Sequence, residues 1–379
     1  MHICFITNKY PNPIEPNVTV FLQQLVVTIA KKGIKCSVIS PVPTNLNSKY
    51  KEFPFKRTDT FDGTDIDVYF PHYFGLGQRD IAFFNPAKIT THYFSSAVKS
   101  VIKSMPNTPD YFYAHFVTPA GITAARMGRV YNKPAFLAYG EATLNTINHY
   151  GKKAVANELK TLNGVIAVSS QNKQMIEPFV PHKITQVFPN AIDGSVFIPK
   201  DKNKCQKKLG ISNNKFVISF VGSFDERKGI NRLCEAVRLL NDDSISIICA
   251  GKGSLSPTVE NCIFAKPVLH EDLPDFLSAS DIFVLPTQNE GCCNAIIEAM
   301  ACGLPIISSD LSFNDEILDS TNSLRIDPND VGAIAHAIKT LKDNSELRKQ
   351  LSIGSLEKAK HLTLDKRADN IVNFMEKMS

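Results

Sequence analysis

The stretch from Pro286 to Pro305 carries two carboxylates, Glu290 and Glu298, around the start of a helix near Cys292–Ala295. The free backbone N–H groups of a helix start favour an anion such as phosphate. Carboxylates accept hydrogen bonds from vicinal hydroxyls, and a rise of about 1.5 Å per residue separates these two by roughly 10 Å. The pattern therefore fits one extended ligand with a sugar, a diphosphate and a ribose. The alternative is an ordinary strand, loop and helix with surface acids.

A second element, Phe220–Gly229, ends another apolar strand and reads FVGSFDERKG. Gly222 allows close approach of backbone to a phosphate, and Lys228 supplies a cation to neutralise it. Gly251-Lys-Gly253 ends the next strand in a similar way, although a lone GxG is a weak signal. The sequence thus indicates a second set of phosphate contacts in the same half of the chain.

Two polar side chains end strand-like runs in the first half of the chain. His115 closes Tyr111–His115, and Glu141 follows Ala135–Tyr139. The carboxyl ends of parallel strands share one edge of a sheet, so both side chains are expected at one crevice. His115 is either a group near the reacting centre or a satisfied histidine at a strand end. Glu141 either binds substrate hydroxyls or acts as a base, or it serves as a helix cap or an ion-pair partner.

The elements that position these residues alternate between apolar strands and helix-period segments, which predicts an α/β fold with parallel sheets. One series opens at His2–Thr7 and a second opens afresh at Phe216–Gly222. Between them Val187–Asp201 contains Pro189, Gly194 and Pro199 and is expected to be a linker. We predict a first domain over 1–192, a second over 193–361, and a last amphipathic segment, 362–379, that can pack back on the first domain.

Composition excludes several classes of protein. Charged residues make up 21% and the apolar set 43% of 379 residues, which is typical of a globular chain. No apolar run approaches the roughly 20 residues of a spanning helix, and no secretory leader is present, so a cytoplasmic location is expected. The first strand leads into a proline-rich loop instead of GxGxxG, which argues against an NAD-dependent oxidoreductase. The nine cysteines form no CxxC pair.

Charge is divided unevenly along the chain. Residues 1–194 carry 20 Lys and Arg against 12 Asp and Glu, whereas the whole chain has a formal charge of +5. The basic half could attract an anionic acceptor or the inner face of a membrane, or it is simply a solvated Lys-rich surface. Nucleic acid is not an expected partner, because no basic run is interleaved with aromatic residues.

The string EGCCNAIIEAMACGLPII, which starts at Glu290, resembles the Glu-x7-Glu signature of the retaining GT-B glycosyltransferases of family four, the group 1 glycosyltransferases. The resemblance covers nearly the whole chain and is strongest in the second domain. It implies two Rossmann-like domains that face each other across a cleft. Glu290 would contact the donor sugar and Glu298 the ribose. Donor-binding residues would also include Gly222, Ser223, Arg227, Lys228, Cys292, Cys293 and Asn294.

The same resemblance implies how the reaction would run. Lys228 and the helix N–H groups would stabilise the leaving diphosphate, and the diphosphate oxygen would take the acceptor proton in a front-face substitution. Glu290, His115 and Lys228 are the predicted catalytic residues, and His115, Glu141 and Asn17 lie on the predicted acceptor side. No metal and no cofactor are expected, since the sequence shows no ligand cluster.

The chain departs from the family pattern at two places. Ser223 stands where an arginine is usual, and Pro16 and Asn17 replace a Gly-Gly pair after the first strand. Arg227 either supplies the missing cation or is a solvated loop residue. We predict transfer of a hexosyl-type sugar from a UDP- or GDP-linked donor to a glycan or lipid-linked oligosaccharide, in surface polysaccharide biosynthesis. The alternative is a nucleotide-sugar-binding protein that is catalytically impaired.

Overall fold

The computed structural model describes residues 1–16, 18–76, 85–212 and 214–379. It divides into two compact units, which we call unit 1 (Met1–Phe188 with Leu364–Ser379) and unit 2 (Pro189–Thr363). The boundaries predicted from the sequence lie at 192/193 and 361/362. Asn17, one of the predicted acceptor-side residues, lies outside the described residues.

Unit 1 is built on a mainly parallel sheet. Its described strands are β1 (His2–Thr7), β2 (Lys35–Ile39), β3 (Val42–Pro43), β4 (Lys56–Phe61), β5 (Thr64–Tyr69), β6 (His72–Tyr73), β7 (Tyr111–His115), β8 (Ala135–Tyr139), β9 (Gly164–Ala167) and β10 (Thr185–Val187). The main sheet has the order β10-β9-β8-β7-β1-β2-β5-β4, and β4 runs antiparallel to β5. Strands β3 and β6 form a separate pair.

Helices cover both faces of this sheet. They are α1 (Val20–Lys31), α2 (Pro86–Ser104), α3 (Ile122–Tyr131), α4 (Asn145–Tyr150), α5 (Lys152–Leu159), α6 (Ser170–Ile176) and, from the chain end, α13 (Leu364–Lys377). Alternate residues of β1 enter two different apolar clusters, Cys4 and Ile6 in one and Ile3 and Phe5 in the other. Successive strand side chains point to opposite faces, so a strand covered on both faces is apolar throughout.

The C-terminal helix α13 belongs to the core of unit 1. Ile371, Phe374 and Met375 lie in the same cluster as Phe5 of β1, and the Lys32 ammonium lies 2.8 Å from the Asp369 carboxylate. The burial of this apolar face explains why the segment folds as an amphipathic helix.

Unit 2 contains a parallel sheet in the order β13-β12-β11-β14-β15-β16. Its strands are β11 (Phe216–Val221), β12 (Ile245–Ala250), β13 (Cys262–Lys266), β14 (Ile282–Leu285), β15 (Ile306–Ser309) and β16 (Ser323–Ile326). Its helices are α7 (Lys202–Leu209), α8 (Ile230–Leu240), α9 (Leu273–Ser278), α10 (Asn294–Ala301), α11 (Val331–Asp343) and α12 (Ser345–Ala359). The predicted α/β class with parallel sheets is confirmed.

The strand order reverses at one point in each main sheet. In unit 2, β11 pairs with β12 on one side and with β14 on the other. In unit 1, β1 lies between β2 and β7. Loops leave in opposite directions at such a point, which opens a crevice beyond the carboxyl ends of the strands where ligands bind in open α/β sheets. The loops that follow β11 and β14 carry Lys228 and Glu290.

No helix in the described ranges is both long enough and apolar enough to cross a membrane.

Candidate functional site

The loop after β11 folds around the side chain of Asp225. The Ser223 hydroxyl donates to Asp225 Oδ2 at 2.6 Å, and the Lys228 backbone N–H donates to Asp225 Oδ1 at 2.8 Å. Gly229 then turns the chain at φ +81° before α8 begins. This turn brings the Lys228 stem over Gly222, where a Cβ added to the glycine would meet Lys228 Cδ at 3.4 Å. A Cβ at position 222 would thus lie in ordinary van der Waals contact with the lysine stem.

Three donors converge on a single oxygen of Glu290. Its Oε1 atom accepts from Lys228 Nζ at 2.6 Å, from an Arg227 Nη atom at 2.6 Å and from the Thr287 hydroxyl at 3.0 Å. The side chains of Lys228 and Glu290 are only 12% and 14% exposed. Charge-assisted hydrogen bonds of this kind hold the carboxylate group in one orientation.

Lys228 remains protonated in this setting. Burial alone would lower its pKa, but the neighbouring Cys293 and Glu290 outweigh the burial, and the pKa of Lys228 is raised. Nζ lies 3.9 Å from Cys293 Sγ, and burial raises the pKa of that thiol. A cation therefore stands beside the start of α10.

The start of α10 presents backbone donors next to that cation. Cys293 is the residue before the helix and makes no side-chain cap bond. The Asn190 amide donates to the Cys292 carbonyl at 3.0 Å and so fixes the turn. Asn294 Oδ1 is buried without a hydrogen-bond partner among the described residues. An anion at this position would meet helix N–H groups and Lys228 together.

Arg232 ties the β11 and β14 loops together, a role that the sequence did not reveal. Its side chain is 8% exposed and lies 2.7 Å from Glu226 Oε1. One Nη atom also donates to the Pro286 carbonyl at 3.0 Å. The Gln288 N–H donates to the Arg227 carbonyl at 2.9 Å. These bonds fix the position of Lys228 relative to Glu290, although the two residues lie far apart in the chain.

Glu298 lies inside α10 and has different partners from Glu290. Its side chain is 8% exposed, and Oε1 lies 3.2 Å from His270 Nε2. The His270 ring in turn packs edge-on against Phe197 with centroids 5.2 Å apart. Nothing in the sequence indicates this contact, because 28 residues separate the pair. Thr287 also had no predicted role, although it lies only three residues from Glu290.

His115 in unit 1 ends β7 and is buried between aromatic rings. Its ring lies 5.0 Å from Phe21 and 4.6 Å from Phe116, centroid to centroid. Burial, with a smaller contribution from the Arg367 charge, lowers the pKa of His115 to about 3. Nδ1 has no hydrogen-bond partner among the described residues. The imidazole is neutral at ordinary pH and retains hydrogen-bonding capacity.

Glu141 follows β8 at the same edge of the unit 1 sheet. Burial raises its pKa to about 7, although bonds from the Val117 N–H and the Thr146 hydroxyl, both at 3.4 Å, oppose that shift. Oε2 is buried and lacks a partner within the described chain. The Asn172 amide donates to the Glu141 carbonyl at 2.9 Å and holds the loop. A carboxyl with a pKa near neutrality can take or give a proton at physiological pH.

Asn8 follows β1 directly and lies at the point where the strand order of the unit 1 sheet reverses. Its amide donates to the Thr118 carbonyl at 2.8 Å and its Oδ1 accepts from the Ala120 N–H at 3.2 Å. These bonds fix the loop that follows His115.

Across the described parts of both units, no group of three or more His, Cys, Asp or Glu side chains has the arrangement of a metal site.

Comparison with known proteins matches part of the chain to a protein family. Residues 201–357, which lie within unit 2, match the family described as "Glycosyl transferases group 1". The chain carries a group 1 glycosyltransferase domain. The resemblance to the group 1 glycosyltransferases is thereby confirmed over these residues, and it supports a glycosyltransferase as the enzyme class.

Relatives of this glycosyltransferase bear related names. The putative teichuronic acid biosynthesis glycosyltransferase TuaC of Bacillus subtilis is 28% identical over 351 residues, with 89% of this chain and 88% of that protein covered. An Escherichia coli protein named UDP-Gal:alpha-D-GlcNAc-diphosphoundecaprenol alpha-1,3-galactosyltransferase is 28% identical over 207 residues, 50% of this chain and 53% of that one.

Solved structures share the fold. Sucrose-phosphate synthase from Thermosynechococcus elongatus has a TM-score of 0.77 at 17% identity, with 100% of this chain and 98% of that one covered. Anabaena HepE, solved in complex with UDP, has a TM-score of 0.74 at 15% identity and covers 100% of both chains. At these identities the likeness concerns the fold alone, and the predicted GT-B fold class of two Rossmann-like domains is confirmed.

Proposed function

We propose that this glycosyltransferase moves a hexosyl-type sugar from a UDP- or GDP-linked donor with retention of anomeric configuration. The observation that carries the proposal is the convergence of Lys228 and Glu290 beside the start of α10, at the carboxyl ends of β11 and β14. A cation, helix N–H groups and an oriented carboxylate are the groups that a sugar diphosphate requires.

The donor would lie along unit 2 with its diphosphate near Lys228 and the α10 start. Glu290 would accept hydrogen bonds from the sugar hydroxyls, since Lys228, Arg227 and Thr287 already fix its orientation. Glu298, with its own partner His270, would accept from the ribose. As the glycosidic bond breaks, negative charge grows on the diphosphate, where Lys228 and the helix N–H groups stabilise it.

The acceptor would meet residues of unit 1. His115 is neutral, its buried Nδ1 makes no hydrogen bond within the described residues, and Glu141 has a pKa of about 7. Either could hydrogen-bond an acceptor hydroxyl, and Glu141 could also take its proton. The names of the Bacillus and Escherichia relatives, one tied to teichuronic acid and one to a diphospholipid acceptor, support a glycan or lipid-linked acceptor in surface polysaccharide biosynthesis. Peripheral association of the basic first half with an anionic membrane surface stays a prediction.

A panel of labelled UDP- and GDP-sugars tests the proposal. The protein is incubated with each donor, with and without EDTA, and release of nucleotide is followed together with the anomeric configuration of the product by NMR. Turnover that survives EDTA and keeps the donor configuration is expected. An inverted product would contradict the retaining assignment, and loss of turnover with EDTA would contradict the expectation of a reaction without metal.

A second candidate, a nucleotide-sugar-binding protein without efficient turnover, rests on Ser223. Its hydroxyl is engaged with Asp225 and brings no charge to the diphosphate. Saturable binding of a donor with neither transfer nor slow hydrolysis would favour this candidate. The variant Ser223→Arg discriminates further: a large gain in turnover would show that the missing cation limits the reaction, and an unchanged rate would show that Lys228 and Arg227 suffice.

A further inference from the structure

His270 and Glu298 form a side-chain pair that joins positions 28 residues apart in unit 2. Glu298 is a nearly buried carboxylate, 8% exposed at its side chain, while the His270 side chain is 50% exposed. A buried carboxylate is costly unless a donor satisfies it. His270 Nε2, 3.2 Å from Oε1, supplies such a donor from the solvent side of the pair.

The orientation of His270 is itself fixed. Its ring packs edge-on against Phe197, which is 2% exposed. The hydrogen bond from His270 to Glu298 raises the pKa of the imidazole against the effect of burial, and the charge of Asp193 acts in the same direction as Glu298. The segment Asp193–Phe197 at the start of unit 2 therefore holds the imidazole edge that faces Glu298.

A donor bound to one carboxylate oxygen determines what the other oxygen can do. When Oε1 accepts from His270, rotation of the carboxylate is restricted, and the lone pairs that remain free sample fewer directions. Two vicinal hydroxyls need such a fixed acceptor, because both must be met by one rigid group. A Glu298 side chain that His270 did not hold would lose rotamer freedom each time a ligand bound.

We propose that His270 is a positioning residue that orients Glu298 toward the ribose hydroxyls and so makes the site selective for ribonucleotides. The inference rests on the proposed function, in which Glu298 contacts the ribose. His270 does not touch the ligand; it acts through Glu298. Removing His270 leaves the nearly buried Glu298 without this donor, so the unfolding midpoint of each variant is measured beside its affinity, and His270→Gln keeps a donor at this position.

Calorimetric titration tests this with UDP, GDP and their 2′,3′-dideoxy analogues, against wild type, His270→Ala, His270→Gln, Glu298→Ala and the double variant. Gln can place an amide N–H where Nε2 lies. His336→Ala, at an exposed position on α11, is the matched control. His270→Ala should weaken ribonucleotide binding about tenfold, the order of one hydrogen bond to a charged group, and leave dideoxynucleotide binding unchanged.

Further results follow from the same mechanism. His270→Gln should recover much of the lost affinity, and the double variant should bind no more weakly than Glu298→Ala, because His270 acts only through that carboxylate. Equal weakening of ribo- and dideoxynucleotides by His270→Ala would overturn the inference, as would wild-type affinity in that variant when Glu298→Ala is impaired. If Glu298→Ala itself binds ribonucleotides normally, the ribose assignment in the proposed function fails, and the inference fails with it.

Discussion

Lys228 Nζ lies 2.6 Å from Glu290 Oε1, and the two side chains come from the loops that follow the neighbouring strands β11 and β14. Both are mostly buried, so each charge depends on the other and on the partners around it. Arg227 and Thr287 share the same Glu290 oxygen. A diphosphate that binds here would therefore enter an existing network in which Lys228 is held in place before the ligand arrives.

Replacing Lys228 should damage donor binding more than folding. In Lys228→Ala, Glu290 keeps two donors, Arg227 and Thr287, so the thermal unfolding midpoint should shift only modestly. Loss of one buried cation from the diphosphate site should weaken nucleoside diphosphate binding by about tenfold or more. Calorimetry of UDP and GDP measures this. Lys207→Ala, at an exposed position on α7, is the control. Equal nucleotide affinity in the two variants would contradict the assignment of Lys228 to the diphosphate site.

Glu141 should give the reaction a pH dependence near neutrality. Its raised pKa of about 7 means that the carboxylate needed by a base forms as pH rises through about 7. The kcat/KM of the wild type should therefore rise across that range. Glu141→Gln should lack this limb and lower kcat by about 100-fold, the lower end of typical general-base effects. A Glu141→Gln profile identical to that of the wild type would leave Glu141 as a structural residue.

The raised pKa of Glu141 also affects stability: as pH rises, activity should increase while the contribution of Glu141 to the free energy of unfolding decreases. The unfolded chain releases the Glu141 proton near its ordinary pKa of 4.5, whereas the folded chain keeps it until about 7. The folded state binds more protons in this window, so the contribution of Glu141 to the free energy of unfolding falls from pH 4.5 to pH 7 and is constant above it. The difference in unfolding free energy between wild type and Glu141→Gln, measured by urea titration at several pH values, should follow that course.

His115 should make unit 1 sensitive to acid. Its pKa is lowered from 6.5 to about 3 by burial, so the unfolded chain takes up a proton below pH 6.5 that the folded chain refuses. The free energy of unfolding should decrease as pH falls from 6.5 toward 3. His115→Asn should reduce that slope, while His336→Asn, at an exposed site, should not. Urea titrations across the window measure both slopes, and a slope unchanged in His115→Asn would contradict the buried neutral imidazole.

The fold could be predicted from the sequence where strands are buried on both faces. Runs such as Phe216–Val221 and Ile245–Ala250 are almost entirely apolar because helices cover both sides. The hairpin of β4 and β5 could not be predicted from such runs. Lys56–Phe61 alternates between exposed and half-buried residues, as expected for an edge strand with one face in water, and a search for apolar runs passes over it.

The candidate site was predictable only where one short segment carries the chemistry. Glu290, Glu298 and the α10 start lie close together in the chain, and Lys228 lies in the loop directly after a strand. The contacts of Arg232 with Pro286 and of His270 with Glu298 join residues 54 and 28 positions apart. No periodicity links such pairs; the parallel strands and their crossovers bring them together. The functional roles of these residues, like that of Asn17, stay predictions.

Turnover by Glu290→Ala tests the central claim, that the Lys228–Glu290 site binds and activates the donor sugar. Wild type, Glu290→Ala and Glu235→Ala, a control at an exposed position on α8, are compared for transfer and slow hydrolysis of the labelled donor that the wild type uses. We predict that Glu290→Ala loses about 1,000-fold in kcat, the order of a lost electrostatic contact in a transition state, with its unfolding midpoint retained and Glu235→Ala unaffected. Wild-type turnover by a folded Glu290→Ala protein would contradict the account.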